Sequence, residues 1–243
     1  MRLDKFICKS TELTRNEAKK VLKSGEVRVN GEVAKNPAMQ VHENNTITVD
    51  GQELSARGSR YYILYKEVDT ICSNVDEVYP SVLHAIEVDK AFDLHIAGRL
   101  DADTTGLVLV TDDGRWSHNV ISPKKHCKKT YRVWLRNEIE DEKLAALVAQ
   151  FDSGLQLQGE NSLTRPALLA RVEKDDLVDE ASYRSEVLLT ITEGKYHQVK
   201  RMFAAVGNRV VGLHREQVGK ITLGNLAPGE WRELTEDEIA QFS

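Results

Sequence analysis

Apolar positions recur with two different periods along the chain, and the changes of period outline its elements. Leu3, Phe6 and Ile7, then Ala18, Val21 and Leu22, fall at the three- and four-residue spacing of amphipathic helices. Thr14 with Glu17 makes a capping box for the second helix, and Gly25 can end it. Val27-Arg28-Val29 and Glu32-Val33 then flank Asn30-Gly31, a strong two-residue hairpin signal. Residues 46–49, followed by Asp50-Gly51, predict another strand and turn. Residues 54–60, with Ser55, Gly58 and Ser59, read as a linker. The expected organisation is a small module over residues 1–57 and a larger domain over 58–243.

In the larger part, residues 61–66 open as a strand and 81–86 as a short helix. Leu107-Val108-Leu109-Val110 is a short, partly β-branched run ended by Asp112-Asp113-Gly114, which predicts a buried strand. A helix over 116–121 is stopped by Pro123. Tyr131, Val133 and Leu135 alternate against Arg132, Trp134 and Arg136, as in a half-exposed strand. Residues 138–151 form an amphipathic helix on Leu144, Leu147 and Val148, and 168–172 and 187–191 read as strands of the same sheet. Within 195–207, Val199, Met202, Phe203 and Val206 share a helical face, and Lys200 and Arg201 leave it toward solvent or a cleft. A turn at 228–231 and a terminal helix over 236–242 complete the pattern.

The composition, 41% apolar and 29% charged over 243 residues, is that of an ordinary globular protein. The sequence has neither an apolar run of transmembrane length nor a charged-then-apolar leader at Met1, so no membrane association is expected. Cys8, Cys72 and Cys127 lie far apart without metal spacing, which predicts reduced thiols and a cytoplasmic setting. The net charge of −5 argues against a nucleic-acid partner, but its distribution argues for one. The first 24 residues carry seven Lys or Arg against three acids. Two basic helices on a small sheet give a positive face suited to phosphates. A second basic run, Lys124, Lys125, Lys128, Lys129, Arg132 and Arg136, contains no acid and carries Tyr131 and Trp134. Basic strands with aromatic residues suit a nucleic-acid groove, where charges meet phosphates and rings stack on bases.

The candidate chemistry lies in the turn Gly98-Arg99-Leu100-Asp101-Ala102-Asp103-Thr104-Thr105-Gly106, at the mouth of the buried strand. Asp101-x-Asp103-x-Thr105-Gly106, with Asp112 at the twelfth position, has the form of a calcium loop. Asp101-x-Asp103-x-Thr105 also has the form of the aspartyl-phosphate motif of haloacid-dehalogenase phosphatases. Alternatively, Asp101 is a cofactor-independent nucleophile or base, or both carboxylates bind backbone amides of the turn. His84, His95, His118 and His126 show no ligand spacing, so no metal is assigned.

Two resemblances bear on these alternatives. The first 50 residues, with Arg-Leu-Asp-Lys-Phe, Thr-Arg-Asn-Glu-Ala-Lys-Lys-Val-Leu and Gly-Glu-Val-Arg-Val-Asn-Gly-Glu-Val, resemble the alpha-L RNA-binding motif. The central turn, Lys129-Thr130-Tyr131, and the stretch Glu193-Gly194-Lys195-Tyr196-His197-Gln198-Val199-Lys200-Arg201-Met202 together resemble the bacterial pseudouridine synthases that modify ribosomal RNA. That resemblance runs from Met1 to the turn at Trp231. It implies an α+β protein: a small N-terminal alpha-L module, then a mixed, mostly antiparallel catalytic domain with a central cleft. It implies isomerisation of uridine within one nucleotide, without metal or other cofactor. Asp101 would be the catalytic carboxylate, Lys200 the cation that favours its ionised form, and Tyr131 the ring that stacks on the uracil. Relatives often carry Arg where this chain has Lys200, which leaves Arg201 as an alternative partner for Asp101. Relatives also carry Asn-Lys-Pro where this chain has Tyr65-Lys66-Glu67. Arg99, Lys124, Lys125, Lys128, Lys129 and Arg201 would hold the RNA, together with Arg2, Lys5, Arg15, Lys19 and Lys20 of the module. The implied substrate is 16S ribosomal RNA, at uridine 516, either free or in a partly assembled small subunit, with the protein a monomer. A large-subunit enzyme of the same family and a non-catalytic RNA-binding assembly protein are the alternatives.

Overall fold

The capping box at Thr14 forms as the sequence predicts. In the computed structural model, which describes residues 1–42, 44–172 and 182–243, Glu17 N–H donates to Thr14 Oγ1 at 3.3 Å and Thr14 N–H donates to Glu17 Oε2 at 2.8 Å. The first of two compact units, Met1–Ser59, opens with α1 (Leu3–Ser10) and this capped α2 (Arg15–Ser24), which ends at Gly25. Strands β1 (Val27–Val29), β2 (Glu32–Val33), β3 (Ile47–Val49) and β4 (Gln52–Glu53) pair in the order β2-β1-β3-β4. Asn30 and Gly31, at φ 51° and 86°, both take the left-handed conformation that a tight hairpin turn needs. Leu3, Ile7, Ala18, Leu22, Val27 and Ile47 form a fully buried core between helices and sheet.

The second unit, Arg60–Ser243, is built on one nine-stranded sheet. In chain order it contains β5 (Tyr61–Lys66), β6 (His95–Ala97), β7 (Thr105–Thr111), α3 (Gly114–Ile121), β8 (Lys129–Leu135), α4 (Asp141–Ser153), β9 (Leu168–Arg171), β10 (Ser185–Ile191), α5 (Gln198–Ala205), β11 (Val210–Val218), β12 (Ile221–Thr222), β13 (Trp231–Glu233) and α6 (Glu236–Ala240). The strand order is β13-β5-β7-β11-β8-β10-β9, with β6 against β7 and β12 against β11. These pairs are antiparallel except β7–β11, which is parallel. The chain is thus an α+β protein with a mixed, mostly antiparallel sheet in its larger unit.

Period-two alternation sends the side chains of β5 and β7 to two cores. Tyr62, Leu64, Val108 and Val110 face one core with Val133, Met202 and Phe203. Ile63, Leu107 and Leu109 face the other with Trp116, Val120 and Ile221. Burial on both faces explains why Leu107-Val108-Leu109-Val110 reads as an unbroken apolar run.

Several boundaries differ from the sequence expectation. The 81–86 helix is a single 3₁₀ turn, Val82–Ala85. The 138–151 helix begins only at Asp141. The 195–207 helix begins at Gln198, because His197 stands in the left-handed region at φ 47° and breaks the helical path before it. Among the described residues no helix is long and apolar enough to cross a membrane.

Candidate active site

The turn between β6 and β7 is held from below by two buried cations, Lys66 and Arg215. Lys66, at the end of β5, donates from Nζ to the carbonyls of Glu67 (2.8 Å), Ala102 (3.2 Å) and Thr104 (2.9 Å). Burial lowers the Lys66 pKa, against the pull of Cys72, Asp103, Asp101 and Asp69. Arg215, on β11, donates from Nη2 to the Gly98 carbonyl and from Nε to the Leu107 carbonyl, each at 2.8 Å. The two side chains tie the turn at its start, middle and end. The turn closes on itself through Thr104 N–H to the Asp101 carbonyl at 3.0 Å.

This frame presents Asp101 to the first turn of α5. Lys200 Nζ donates to Asp101 Oδ2 at 3.0 Å, and His197 Nε2 lies 3.2 Å from Asp101 Oδ1. Lys200 also reaches both oxygens of Asp103, at 2.7 and 3.0 Å. Burial would lower the Lys200 pKa, but the hydrogen bonds to Asp103 and Asp101 outweigh it and the pKa is raised. Burial would likewise raise the Asp103 carboxyl, and the Lys200 hydrogen bond turns the shift downward.

Asp103 shares the Lys200 ammonium with Asp101. The Asp101 side chain is 32% exposed. Arg201 is not the ion partner of Asp101. It pairs instead with Glu160 at 3.0 Å and donates to the carbonyls of Tyr196 and Gln158. Lys195 completes that group with a bond to Glu160 at 2.9 Å, so Glu160 accepts from two cations.

Asp101, Arg99, Lys129, Tyr131, His197 and Lys200 line one cleft of about 680 Å³. Tyr131 is buried in the core and also lines this cleft. The second basic run divides. Lys124, Lys125 and Lys128 are exposed, whereas Lys129 is buried at the cleft floor. Arg132, which has no acid nearby in sequence, meets Glu186 of β10 and Glu216 of β11 across the sheet. In the first unit, Arg2, Lys5, Arg15 and Lys19 line a separate cavity of about 300 Å³ with Asp4, while Lys20 stands exposed outside its lining. Arg2 is held by Asp4 through two hydrogen bonds of 3.0 and 2.7 Å, so the acid offsets part of that positive face.

The geometry also disposes of two motif readings. A calcium loop leads into a helix, but here β7 follows directly, and Asp112 turns to Arg60 at 3.0 Å. The aspartyl-phosphate reading requires its Asp directly after a strand, whereas β6 ends at Ala97 and Asp101 stands four residues on. Among the described residues no group of three or more His, Cys, Asp or Glu is placed to hold a metal ion.

His197 gains a role that its residue type alone did not assign, and its signal in the sequence is its proximity to Lys200 along the chain. Arg215 carries a different signal, a lone Arg at an inward position of an alternating strand. Lys66 gives the same signal at the end of an apolar run.

Comparisons with known proteins agree with this geometry. Residues 60–205 match the family model described as RNA pseudouridylate synthase, and residues 1–47 match the S4 domain model. Ribosomal small subunit pseudouridine synthase A of Vibrio parahaemolyticus is 50% identical over 240 residues, covering 98% of each chain. The protein of that name from Escherichia coli K12 is 47% identical over 242 residues, covering 99% of each. A solved structure described as a crystal structure of pseudouridylate synthase aligns over 100% of both chains at 42% identity, with a TM-score of 0.66.

Proposed function

Because the chain belongs to the RNA pseudouridylate synthase family and carries an S4 domain ahead of the synthase domain, we propose that it isomerises one uridine of 16S ribosomal RNA. Position 516 is the proposed target. The substrate is the free RNA or a partly assembled small subunit, and the enzyme acts as a cytoplasmic monomer. Support for the small-subunit substrate comes from relatives at 47–50% identity over 98% or more of both chains.

The observation that carries the catalytic reading is the Lys200–Asp101 pair, 3.0 Å apart, on a cleft that Tyr131 also lines. The reaction breaks the bond between C1′ of the ribose and N1 of uracil, turns the base, and joins C1′ to C5. Carbon 5 gives up a proton and N1 gains one, so the change is an isomerisation. Asp101 acts as the anionic nucleophile or base, with Lys200 and His197 fixing its two oxygens. Tyr131 stacks on the uracil while it is detached, which limits its escape from the cleft. The target uridine leaves its own stack to enter, as base chemistry within folded RNA requires. Arg99, Lys124, Lys125, Lys128 and the basic face of the S4 domain hold the phosphates and set position rather than chemistry.

The test is tritium release from RNA labelled at uracil carbon 5, using 16S transcripts and partly assembled particles, with pseudouridine mapping in cells lacking the protein. Release from the small-subunit substrate, and loss of one 16S pseudouridine restored by the intact gene, are expected. No release from either substrate would make the protein an RNA-binding assembly factor. Loss of a large-subunit pseudouridine instead would reassign its substrate.

A further inference from the structure

The cleft floor holds two cations without a carboxylate partner among the described residues. Lys129 and Tyr131 are two residues apart on β8, so their side chains share one face of the sheet. Arg215 stands directly across from Tyr131 on β11, and Leu213 precedes it on the same face. All four line the cleft. Arg215 is 1% exposed and Lys129 7%. The polar partners of Arg215 are two carbonyls, bonded through Nη2 and Nε. Its Nη1 makes no hydrogen bond among the described residues. Lys129 Nζ has one long bond, 3.4 Å, to the Cys127 carbonyl, and no acid within ion-pair distance among the described residues. Burial lowers the Lys129 pKa, with Cys127 opposing and Arg215 adding to the shift.

Burying an unpaired charge is costly, and two such cations on adjacent strands repel each other. Such an arrangement persists where a ligand supplies the missing negative charge. The position identifies which part of the ligand that is. Lys129 precedes Tyr131 by two residues on its strand and Arg215 pairs with Tyr131 across the sheet, so both cations neighbour the residue read as stacking on the base. They stand on the sheet floor, whereas the exposed lysines suited to phosphates lie outside the cleft lining.

We propose that Lys129 and Arg215 form a cationic floor that binds the detached uracil as its anion, contacting its carbonyl oxygens and stabilising it as a leaving group. This rests on the pseudouridine synthase reading and adds to it a step at the base rather than at the sugar. When C1′–N1 breaks, the bonding pair stays on the base, and the charge spreads over N1, O2 and O4. The electron-deficient C1′ is met on the Asp101 side. When C5 bonds to C1′, C5 loses its proton and N1 takes one up, so the base leaves the floor neutral. Fixed donors aimed at charge that develops only during the reaction lower the barrier without tightening substrate binding.

The discriminating variants are Lys129→Met, which keeps length and removes charge, and Lys129→Arg, which keeps charge. Single-turnover tritium release and RNA affinity would be measured on the full chain. Lys129→Met should lose about 100-fold in rate, the effect of removing one oxyanion donor. Its RNA affinity and melting temperature should not fall, since a buried unpaired charge is removed. Lys129→Arg should recover most of the rate. Arg215→Lys, which disturbs the turn as well, should lose rate together with stability and serves only as a comparison. A Lys129→Met rate within twofold of a wild-type enzyme that is active would overturn the floor. So would a rate loss matched by weaker RNA binding or lower melting temperature. A wild-type protein that releases no tritium would instead refute the synthase reading on which the floor rests.

Discussion

Gly106 and Arg215 meet so closely across the parallel β7–β11 pair that a Cβ on Gly106 would lie 2.3 Å from the Arg215 carbonyl oxygen. Gly106 also stands at φ 110°, which side chains rarely adopt. The glycine that ends this turn is therefore there to let two strand backbones approach. Close approach in turn lets the Arg215 guanidinium reach back to Gly98 and forward to Leu107.

Gly106→Ala is expected to destabilise the larger unit by at least about 2 kcal/mol, since it combines a backbone clash with a disfavoured conformation. Denaturant unfolding of the full chain checks this. A midpoint unchanged from wild type would mean that the two strands can separate at little cost.

Lys200 bridges two carboxylates, which sets an order of effects. Lys200→Met leaves Asp101 and Asp103 facing each other without a cation and should reduce turnover by about 100-fold or more. Lys200→Arg should stay active. Asp103→Asn should be milder, because Lys200 keeps Asp101. The same pair predicts an acid-side effect on stability. The folded Asp103 pKa is depressed, so its contribution is present above the ordinary carboxylate value of about 4 and is lost as pH falls through the folded value. With the side chain 70% exposed, the effect is a fraction of a kcal/mol. Comparison of Asp103→Asn with wild type in urea at neutral and acid pH reads the stability effect, and turnover assays of the three variants read the order. Equal turnover for Asp103→Asn and Lys200→Met would remove the distinction between the two carboxylates.

Much of this site was legible in the sequence because its parts lie in short stretches with strong local signals. The Asn30-Gly31 hairpin, the Thr14–Glu17 box and the run of Leu107 to Val110 each need only a few neighbouring residues to be recognised. What stayed hidden depends on strands brought together from far apart. Arg132 looks like a free cation until β8 pairs with β10 and β11 and delivers Glu186 and Glu216. Arg201 and Lys200 are adjacent and identical in charge, and only the rotation of α5 sends one to Asp101 and the other to Glu160. Lys129 belongs by sequence to an exposed basic run, but strand alternation turns it to the cleft.

Tyr131 separates by substitution into ring and hydroxyl. Its ring is buried beside Val133 and Leu189, so Tyr131→Leu should cost roughly 1–3 kcal/mol in stability while remaining folded at assay temperature. Tyr131→Phe should keep much of the turnover, because the ring supplies the stacking, worth roughly 1–3 kcal/mol per base. Tyr131→Leu should lose far more turnover than its remaining folded fraction explains. Equal turnover for Leu and Phe would reduce Tyr131 to a core residue.

The S4 domain should contribute mainly electrostatic affinity. Replacing Lys5, Arg15, Lys19 and Lys20 with Gln in the full chain removes up to four charges that neutralise phosphates. The slope of log affinity against log salt should flatten by roughly 0.7 for each phosphate no longer neutralised on single-stranded RNA. Filter binding across a salt series measures the slope. An unchanged slope would place the RNA elsewhere on the protein.

The most direct test of the catalytic role of Asp101 is single-turnover tritium release by Asp101→Asn, with RNA affinity and melting temperature measured on the same preparation. An amide keeps the shape of the carboxylate but cannot serve as an anionic nucleophile or base. No detectable release is expected, with RNA binding and folding near those of wild type. Release at a near wild-type rate would contradict that role, because the Lys200–Asp101 pair would then be scaffold and not chemistry.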